Sequence, residues 1–292
     1  MTTVRDNRGL LRIGELGRRQ GVSPDVLRVW ERRYGLLRPE RSDGGFRLYT
    51  AGDEERVRSM RRYLSQGFSA SVAARMALRE PSAPDGERED VLTGARSELA
   101  EALESFRDVD AQTVLDRLFA TFSVEAVLRD VVLPYLHELG DRWESGEVSV
   151  AQEHFASIVL RGRLLGLARG FDVGMGPRAL LACPDDEQHD LGLLCFGIGL
   201  REHGWRITFL GACTPVAIVG DVAARLKPDL VVICAEQEPP LLAVVQEIAG
   251  VAAAHPVALA GRGASAEIAH RTGTRLLQDA PMAAAARIAS ER

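Results

Sequence analysis

A histidine, a carboxylate and a glycine stand close together just after an apolar run of strand length. In the segment 187–192 (EQHDLG), Glu187 lies two residues before His189 and Gly192 lies three residues after it, and the apolar run 178–183 comes just before. An imidazole on such a loop can bind a metal through one ring nitrogen while a carboxylate orients the other. The alternative is a loop histidine that caps the following helix, whose dipole also favours acidic side chains.

A second group of chemically capable residues is Trp143, followed after nine residues by Glu153 and His154. We expect Trp143 at the end of one helix and His154 in the second turn of the next, with Gly146 in the hairpin between them. This would place both side chains at one end of a helical bundle. They could cover one face of a flat macrocycle there, or simply pack against neighbouring helices.

From residue 178 onward, apolar runs of strand length alternate with helical stretches. This βαβ pattern predicts a flavodoxin-like (Rossmann-type), doubly wound parallel sheet. Ligands in such sheets bind beyond the carboxyl ends of the strands, and His189 follows the first one. The predicted strands are 178–183, 205–210, 230–235, 256–260 and 274–278, and the helices begin near His189, Pro215, Pro239, Ser265 and Pro281.

The helices that must position Trp143 and His154 are predicted from the apolar periodicity of residues 91–172. Their spacing indicates four amphipathic helices joined by short connections, and hence a four-helix bundle. The sequence from Ser149 to Gln152 has the form of a helix cap. The apolar positions that define the faces are Leu99, Leu103, Phe106, Val114, Leu118, Phe122, Val127, Val131, Tyr135 and Leu139.

The first 80 residues carry 17 arginines and 10 acidic residues, whereas the whole chain has a net charge of −5. A basic N-terminal segment followed by an acidic remainder is typical of a DNA-binding module joined to a sensor. A basic face that is merely exposed to solvent would give the same charge composition. Caps at Ser23-Pro24 and Thr50-Asp53, and a glycine stop at Gly21, predict short helices here.

Composition limits the class of protein further. We find no apolar run long enough to span a membrane and no signal peptide, so we expect a cytoplasmic protein without a membrane partner. The four cysteines form no Cys-x-x-Cys pair, which favours reduced and mostly buried thiols. These residues are Cys183, Cys195, Cys213 and Cys234.

Residues 13–49 resemble the winged helix-turn-helix of MerR-type regulators, with a wing over 38–49 around Gly44-Gly45. A helix that starts at Pro24 would turn its arginines toward the major groove, and we expect Val26, Leu27 and Trp30 to pack inward. The resemblance implies double-stranded operator DNA as the partner. The DNA-binding residues it implies are Arg28, Arg32, Arg33, Arg41, Arg47 and Tyr49.

The Glu-x-His-x-x-Gly segment resembles the Asp-x-His-x-x-Gly signature of cobalamin-binding domains. Trp-x9-Glu-His resembles the signature of photoreceptor-type cobalamin regulators. This implies adenosylcobalamin between bundle and sheet, with His189 as the lower axial ligand of cobalt and Glu187 orienting it. The cofactor-binding residues implied are Trp143, Glu153, His154, Glu187, His189, Gly192, Cys234, Gly261 and Gly263.

The chain departs from that family pattern at three places. Glu144 stands where the light-responsive branch has a histidine that captures cobalt, and Cys234-Ala235 replaces the usual serine. Ala260 and Arg262 alter the Gly-Gly-x-Gly-Ala segment near the cofactor tail. These changes keep open a modified light response or another tetrapyrrole.

Taken together, the chain is similar to the CarH/LitR light-responsive repressors, which are not enzymes. The implied function is a repressor that binds DNA as a dimer or tetramer in the dark and releases it after photolysis. The alternatives are a regulator that uses another tetrapyrrole or no ligand, and a corrinoid methyl carrier. The domains implied are a DNA-binding domain (1–80), a linker (81–90), a helical bundle (91–172) and a cobalamin-binding domain (173–292).

Overall fold

The computed structural model describes residues 11–41, 45–78 and 85–291. The chain divides into two compact units, of which the first comprises residues 1–101 and 109–131 and the second residues 102–108 and 132–292.

The first unit begins with four short helices and a two-stranded antiparallel wing, as the winged helix-turn-helix prediction requires. In the wing, Arg41 is paired with Arg47, and Gly45 beside the turn has a positive φ of 77°. Gly44 lies outside the described residues. The elements are α1 (Ile13–Gln20), α2 (Pro24–Tyr34), β1 (Glu40–Arg41), β2 (Arg47–Leu48), α3 (Ala51–Ser65) and α4 (Ala70–Leu78).

The predicted caps of this unit are present. Gly21 ends α1 in the left-handed conformation, the Ser23 hydroxyl accepts a hydrogen bond from the Val26 N–H, and Thr50 forms a reciprocal capping box with Asp53. The Ser23 and Thr50 caps each satisfy a backbone N–H that the first helical turn leaves without a partner, whereas the Gly21 cap supplies a backbone N–H to carbonyl oxygens of the last turn of α1. These local bonds explain why the sequence pattern located the helices correctly.

The core of the first unit confirms Leu27 and Trp30 as inward residues of α2, because both are buried. The expectation for Val26 is wrong, since its side chain is exposed. Helical geometry explains the error: 27 and 30 lie one turn apart on the core face, and residue 26 is 100° away from 27.

Five helices and one π-helical turn occupy the middle of the chain: α5 (Asp85–Glu104), α6 (Asp108–Thr121), α7 (Val124–Val127), the π turn Leu128–Val132, α8 (Leu133–Glu144) and α9 (Val150–Leu167). The division into compact units assigns α6 and α7 to the first unit and α8 and α9 to the second. The packing of the predicted four-helix bundle therefore stays a prediction.

Two expectations for this segment need correction. The linker was predicted over residues 81–90, but α5 begins at Asp85, so that residues 85–90 are helical. Residues 81–84 lie outside the described part of the chain. Phe106 does not continue the apolar face of α5, since it follows the helix end with a φ of 59° and is exposed.

The second unit contains the predicted parallel five-stranded sheet with strand order β4-β3-β5-β6-β7, which confirms the flavodoxin-like topology. Its elements are β3 (Arg178–Ala182), α10 (Leu191–Glu202), β4 (Arg206–Gly211), α11 (Val216–Leu226), β5 (Leu230–Cys234), α12 (Glu238–Ala243), α13 (Val245–Ala252), β6 (Val257–Ala260), α14 (Ala266–Thr272), β7 (Arg275–Leu276) and α15 (Pro281–Ser290).

Apolar cores cover both faces of this sheet. Strands β3, β5 and β6 are neighbours and run parallel, so their carboxyl ends lie side by side. The loops that follow them therefore meet at one edge, which is where the switch-point rule expects a ligand.

The cysteines mostly follow the expectation, with Cys183, Cys195 and Cys234 buried and Cys213 exposed. Within the described residues, no helix combines the length and apolar character needed to cross a membrane.

Candidate functional site

The second unit contains a cavity of about 1100 Å³ at the carboxyl edge of the sheet. Its walls are the loops after β3, β5 and β6, together with residues of α8 and α9. Small-molecule pockets are commonly about 300–1000 Å³, so this cavity has room for a large ligand.

His189 lies on the loop after β3 and lines the cavity, and the carboxylate of Glu187 holds its ring in place. Glu187 is buried, and its Oε1 accepts hydrogen bonds from the backbone N–H of His189 at 2.7 Å and from the ring Nδ1 at 2.6 Å. Its Oε2 accepts bonds from the backbone N–H groups of Glu236 and Gln237, at 2.7 and 3.3 Å. One carboxylate thus ties the loop after β3 to the loop after β5.

These bonds determine the charges of the pair. Burial acts to raise the pKa of Glu187, but the hydrogen bonds from His189 and Glu236 outweigh it and lower the pKa to about 2. The hydrogen bond with Glu187 raises the pKa of His189, against the opposing effect of burial. Because the carboxylate holds Nδ1, Nε2 is the nitrogen left to bind a metal. The carboxylate also makes the imidazole more basic, so that Nε2 is a better metal ligand.

The alternative of a helix-capping histidine does not match the geometry. The residue at the start of α10 is Asp190, whose side chain makes no capping bond, while the His189 ring is held by Glu187. Asp190 is itself buried, and two guanidinium nitrogens of Arg161 lie 2.7 and 2.6 Å from its carboxylate oxygens. Sequence reasoning missed this pair, because nothing local relates residues 29 apart.

Trp143, Glu153 and His154 line the same cavity from α8 and α9, as their spacing predicted. The Nδ1 of His154 lies 2.7 Å from the Val150 carbonyl oxygen, so its Nε2 is available to the cavity. The Glu153 carboxylate accepts a bond from the Ser157 hydroxyl at 2.6 Å. Trp143 lines the cavity while remaining exposed, which leaves apolar area for a ligand to cover.

The other candidate surface is the outer side of the first unit. Arg28, Arg32 and Arg33 are exposed on α2, where Arg28 pairs with Asp25. On the wing, Arg41 is exposed, and the Arg47 Nε lies 3.1 Å from the carboxylate of Glu31. The five arginines are thus on the surface, as a DNA-binding role requires.

Tyr49 needs correction as a DNA-binding residue. It is fully buried, and its hydroxyl donates a hydrogen bond of 2.8 Å to Glu31. Its backbone also pairs with Leu11 through two 2.8 Å hydrogen bonds. A side chain enclosed in this way cannot reach a phosphate, so Tyr49 serves to hold the wing against α2.

Comparisons with known proteins give the family of the chain. Residues 11–80 match the model described as MerR HTH family regulatory protein, and residues 95–165 match the model described as B12 binding domain. The HTH-type transcriptional repressor CarA of Myxococcus xanthus is 35% identical over 260 residues, covering 87% of each chain. This chain belongs to the MerR-type transcriptional regulators that carry a B12-binding domain.

A further relative of this regulator is the HTH-type transcriptional repressor CarH of Myxococcus xanthus, 34% identical over 72% of this chain and 74% of CarH. These relatives are repressors and not enzymes, which confirms the expectation of a regulator. The monomethylamine corrinoid protein of Methanosarcina barkeri superposes with a TM-score of 0.55 at 16% identity, over 66% of this chain and 96% of that protein. At that identity the likeness shows the fold alone.

The glycines of this regulator's cavity have two different roles. A Cβ on Gly261 would lie 2.1 Å from the Ala235 carbonyl oxygen, and one on Gly263 would lie 2.2 Å from that of Gln237. Both glycines are therefore required for the loops after β5 and β6 to approach each other. A Cβ on Gly192 would meet nothing within 4 Å, so that glycine leaves open space in the cavity.

The departures from the family pattern also lie at the cavity. Glu144, Cys234, Ala260 and Arg262 all line it. A hydrogen bond with the Cys234 thiol, together with burial, raises the pKa of Cys183, which keeps that thiol protonated.

Arg262 lines the cavity with a side chain that is 56% exposed. Its guanidinium pairs with Glu236 and lies 3.6 Å from Asp141 on α8. The side chain therefore bridges acidic groups at the rim.

Proposed function

We propose that this regulator binds adenosylcobalamin in the cavity of the second unit and so controls how tightly it holds operator DNA. The observation that carries the proposal is the exposed His189 ring, fixed by a 2.6 Å bond between Nδ1 and Glu187. Imidazole nitrogen is a good ligand for first-row transition metals. Nε2 of His189 is proposed to hold cobalt from below, oriented by Glu187.

The remaining wall residues are assigned by their positions. When bound, adenosylcobalamin supplies a cobalt–carbon bond that visible light breaks. Trp143, Glu153 and His154 are proposed to cover the upper face, where the exposed indole offers apolar contact and Glu153 and His154 offer polar contact. The tail of the cofactor is assigned to the sheet side, beside Gly192, Cys234, Gly261 and Gly263.

The regulatory consequence concerns how many DNA-binding units act together. We propose that in the dark the protein forms a dimer or tetramer that occludes a promoter. Several DNA-binding units that are linked bind DNA far more tightly than a single unit does. Illumination is expected to dissociate the oligomer and release the DNA. The shift is limited by the difference in ligand affinity between the two assembly states. The names of the relatives, both repressors, support repression as the sign of control.

One experiment tests cofactor, light response and assembly together. The full chain is mixed with adenosylcobalamin in the dark, passed through a sizing column with absorbance detection, and then illuminated with green or blue light. We expect co-elution of the corrinoid with an oligomer, a spectral change on illumination, and a smaller species afterwards. A protein that retains no corrinoid contradicts the cofactor assignment.

The matched variants are His189→Ala and His203→Ala. His203 is an exposed histidine at the end of α10 that does not line the cavity. His189→Ala is expected to change the spectrum of the bound corrinoid and weaken its retention, whereas His203→Ala should behave like wild type. Equal spectra for all three proteins would remove His189 as the axial ligand.

A second candidate is a regulator that uses another tetrapyrrole or no ligand. It is favoured by Glu144, a carboxylate at the cavity where the light-responsive branch has histidine. It predicts operator binding that neither adenosylcobalamin nor light changes. A corrinoid methyl carrier, by contrast, would show no sequence-specific retention of DNA, and the MerR match argues against it.

A further inference from the structure

Two valines lie side by side on the outer surface of α2. Val26 and Val29 are 40% and 41% exposed, although Leu27 and Trp30 of the same helix are buried. A single exposed aliphatic residue is common and needs no explanation. Here two of them lie one turn apart, and valine is also a weaker helix former than leucine or arginine. Helix stability therefore does not account for their choice.

The valines lie among charged residues of the same exposed surface. Val26, Val29 and Arg33 have the spacing i, i+3, i+7, which places them in one row along the helix. Asp25, Arg28 and Arg32 have the same spacing and form the neighbouring row, and all six residues are exposed. An apolar strip is thus bordered by three guanidinium groups.

The charge of this surface decides what covers the strip. The six residues of this surface include three arginines and one aspartate, and this net positive charge favours a polyanion over an apolar protein partner. Guanidinium groups bind phosphates or guanine edges, and valine can do neither. The apolar group that the major groove presents is the C5-methyl group of thymine.

We infer that Val26 and Val29 contact thymine methyl groups in the operator, and so determine part of its sequence. The inference rests on the DNA-binding function of α2. Phosphate contacts of Arg28, Arg32 and Arg33 would position the helix without reading bases. The valines then supply discrimination that no hydrogen-bonding residue of this surface provides for thymine methyls.

The test uses deoxyuridine, which differs from thymidine only by the missing methyl group. The full wild-type chain, mixed with adenosylcobalamin and kept in the dark, first selects its operator from a pool of random duplexes. Each thymine of the selected sequence is then replaced singly by uracil. We expect about fourfold weaker binding at one or two positions, the effect of losing one buried methyl group.

The variants Val26→Ala and Val29→Ala complete a double-mutant cycle. Each is expected to bind the thymine operator about fourfold more weakly and to lose its sensitivity to uracil at one position. Val91→Ala is the matched control, because Val91 is a 54% exposed valine on α5 in the same unit. Arg32→Gln should instead reduce the slope of log operator affinity against log salt concentration by about one, while uracil substitution still weakens binding as in the wild type.

Failure of the thymine-methyl inference and failure of sequence-specific DNA binding give different results in these experiments. If the wild type tolerates uracil at every position, or if the valine variants keep the full uracil effect, the inference is overturned while operator binding stands. If the pool yields no enriched sequence, sequence-specific DNA binding fails and the inference falls with it. Melting curves of each variant separate lost contacts from lost folding.

Discussion

Asp53 in the first unit and Glu187 in the second are both carboxylates with almost no exposed surface, 0% and 1%. Each accepts hydrogen bonds on both oxygens. Asp53 accepts from the N–H groups of Arg38 and Thr50, the Thr50 hydroxyl and the Arg56 guanidinium. Glu187 also has four partners, but one of them is the ring of His189, whose side chain is 56% exposed beside the cavity.

This comparison separates a structural carboxylate from a functional one. Hydrogen bonds lower the pKa of both carboxyl groups despite burial, so a perturbed pKa does not distinguish them. The difference is that Glu187 positions a side chain with a second, accessible nitrogen. A buried carboxylate therefore indicates a site only when one of its donors faces a space that a ligand can enter.

The largest expected effect is on the first unit. Asp53→Ala removes the acceptor for two backbone N–H groups and leaves Arg56 without its carboxylate, which should cost about 3 kcal/mol or more of unfolding free energy. Urea unfolding with circular dichroism measures the loss, and operator binding should fall with it. Unchanged cobalamin retention is the control, and a stability equal to wild type contradicts the role of Asp53.

The corresponding change at the cavity should act mainly on the ligand. Glu187→Gln keeps the shape but weakens the bond to His189 Nδ1, and a change of this kind typically reduces metal affinity by about 10–100-fold. Spectroscopic titration with cobalamin measures the affinity, and a thermal melting curve of the ligand-free variant equal to that of wild type serves as the control for folding. If affinity is unchanged while His189→Ala abolishes binding, Glu187 does not orient the ligand.

The charge of Asp53 also predicts how stability responds to acid. Its pKa is lowered in the folded unit, so its contribution is complete above the unfolded value of about 3.9 and is lost as pH falls through the lower folded value. Stability curves of the wild type and Asp53→Asn should therefore converge below that range. If the two curves stay parallel from pH 7 to the acid limit, protonation of Asp53 is not the cause of the loss of stability in acid.

Tyr49→Phe tests the structural role of a residue first expected to bind DNA. It removes the 2.8 Å bond from the hydroxyl to Glu31, which should cost about 1 kcal/mol of unfolding free energy. Operator affinity measured well below the unfolding transition should stay the same, since no phosphate contact is lost. A loss of operator affinity with the unfolding free energy unchanged would restore Tyr49 to the DNA-binding residues.

The smallest effect is expected at the cavity rim. Arg262 pairs with Glu236 and Asp141 while its side chain is largely exposed, and exposed ion pairs contribute about 0–1 kcal/mol. Arg262→Ala should therefore leave the unfolding free energy nearly unchanged. A loss similar to that of Asp53→Ala would mean that exposure is a poor guide to which charges matter here.

Local patterns in the sequence were sufficient for much of the fold. The caps at Ser23, Thr50 and Ser149 were predicted correctly because each is completed by a residue three positions later. The alternation of apolar runs predicted the parallel sheet, and that sheet placed His189 at the carboxyl end of β3. The partnership of Glu187 with His189 was also visible, since the two residues are only two positions apart.

Other features depend on residues that are distant in the chain, and only the tertiary structure decided them. The second oxygen of Glu187 meets Glu236 and Gln237 because β3 and β5 are neighbours in the sheet. Tyr49 is enclosed, and Val26 left exposed, by how the helices and wing pack. A short-range pattern specifies bonds within a turn or strand, whereas contacts between loops follow from strand order and packing, which no single segment contains.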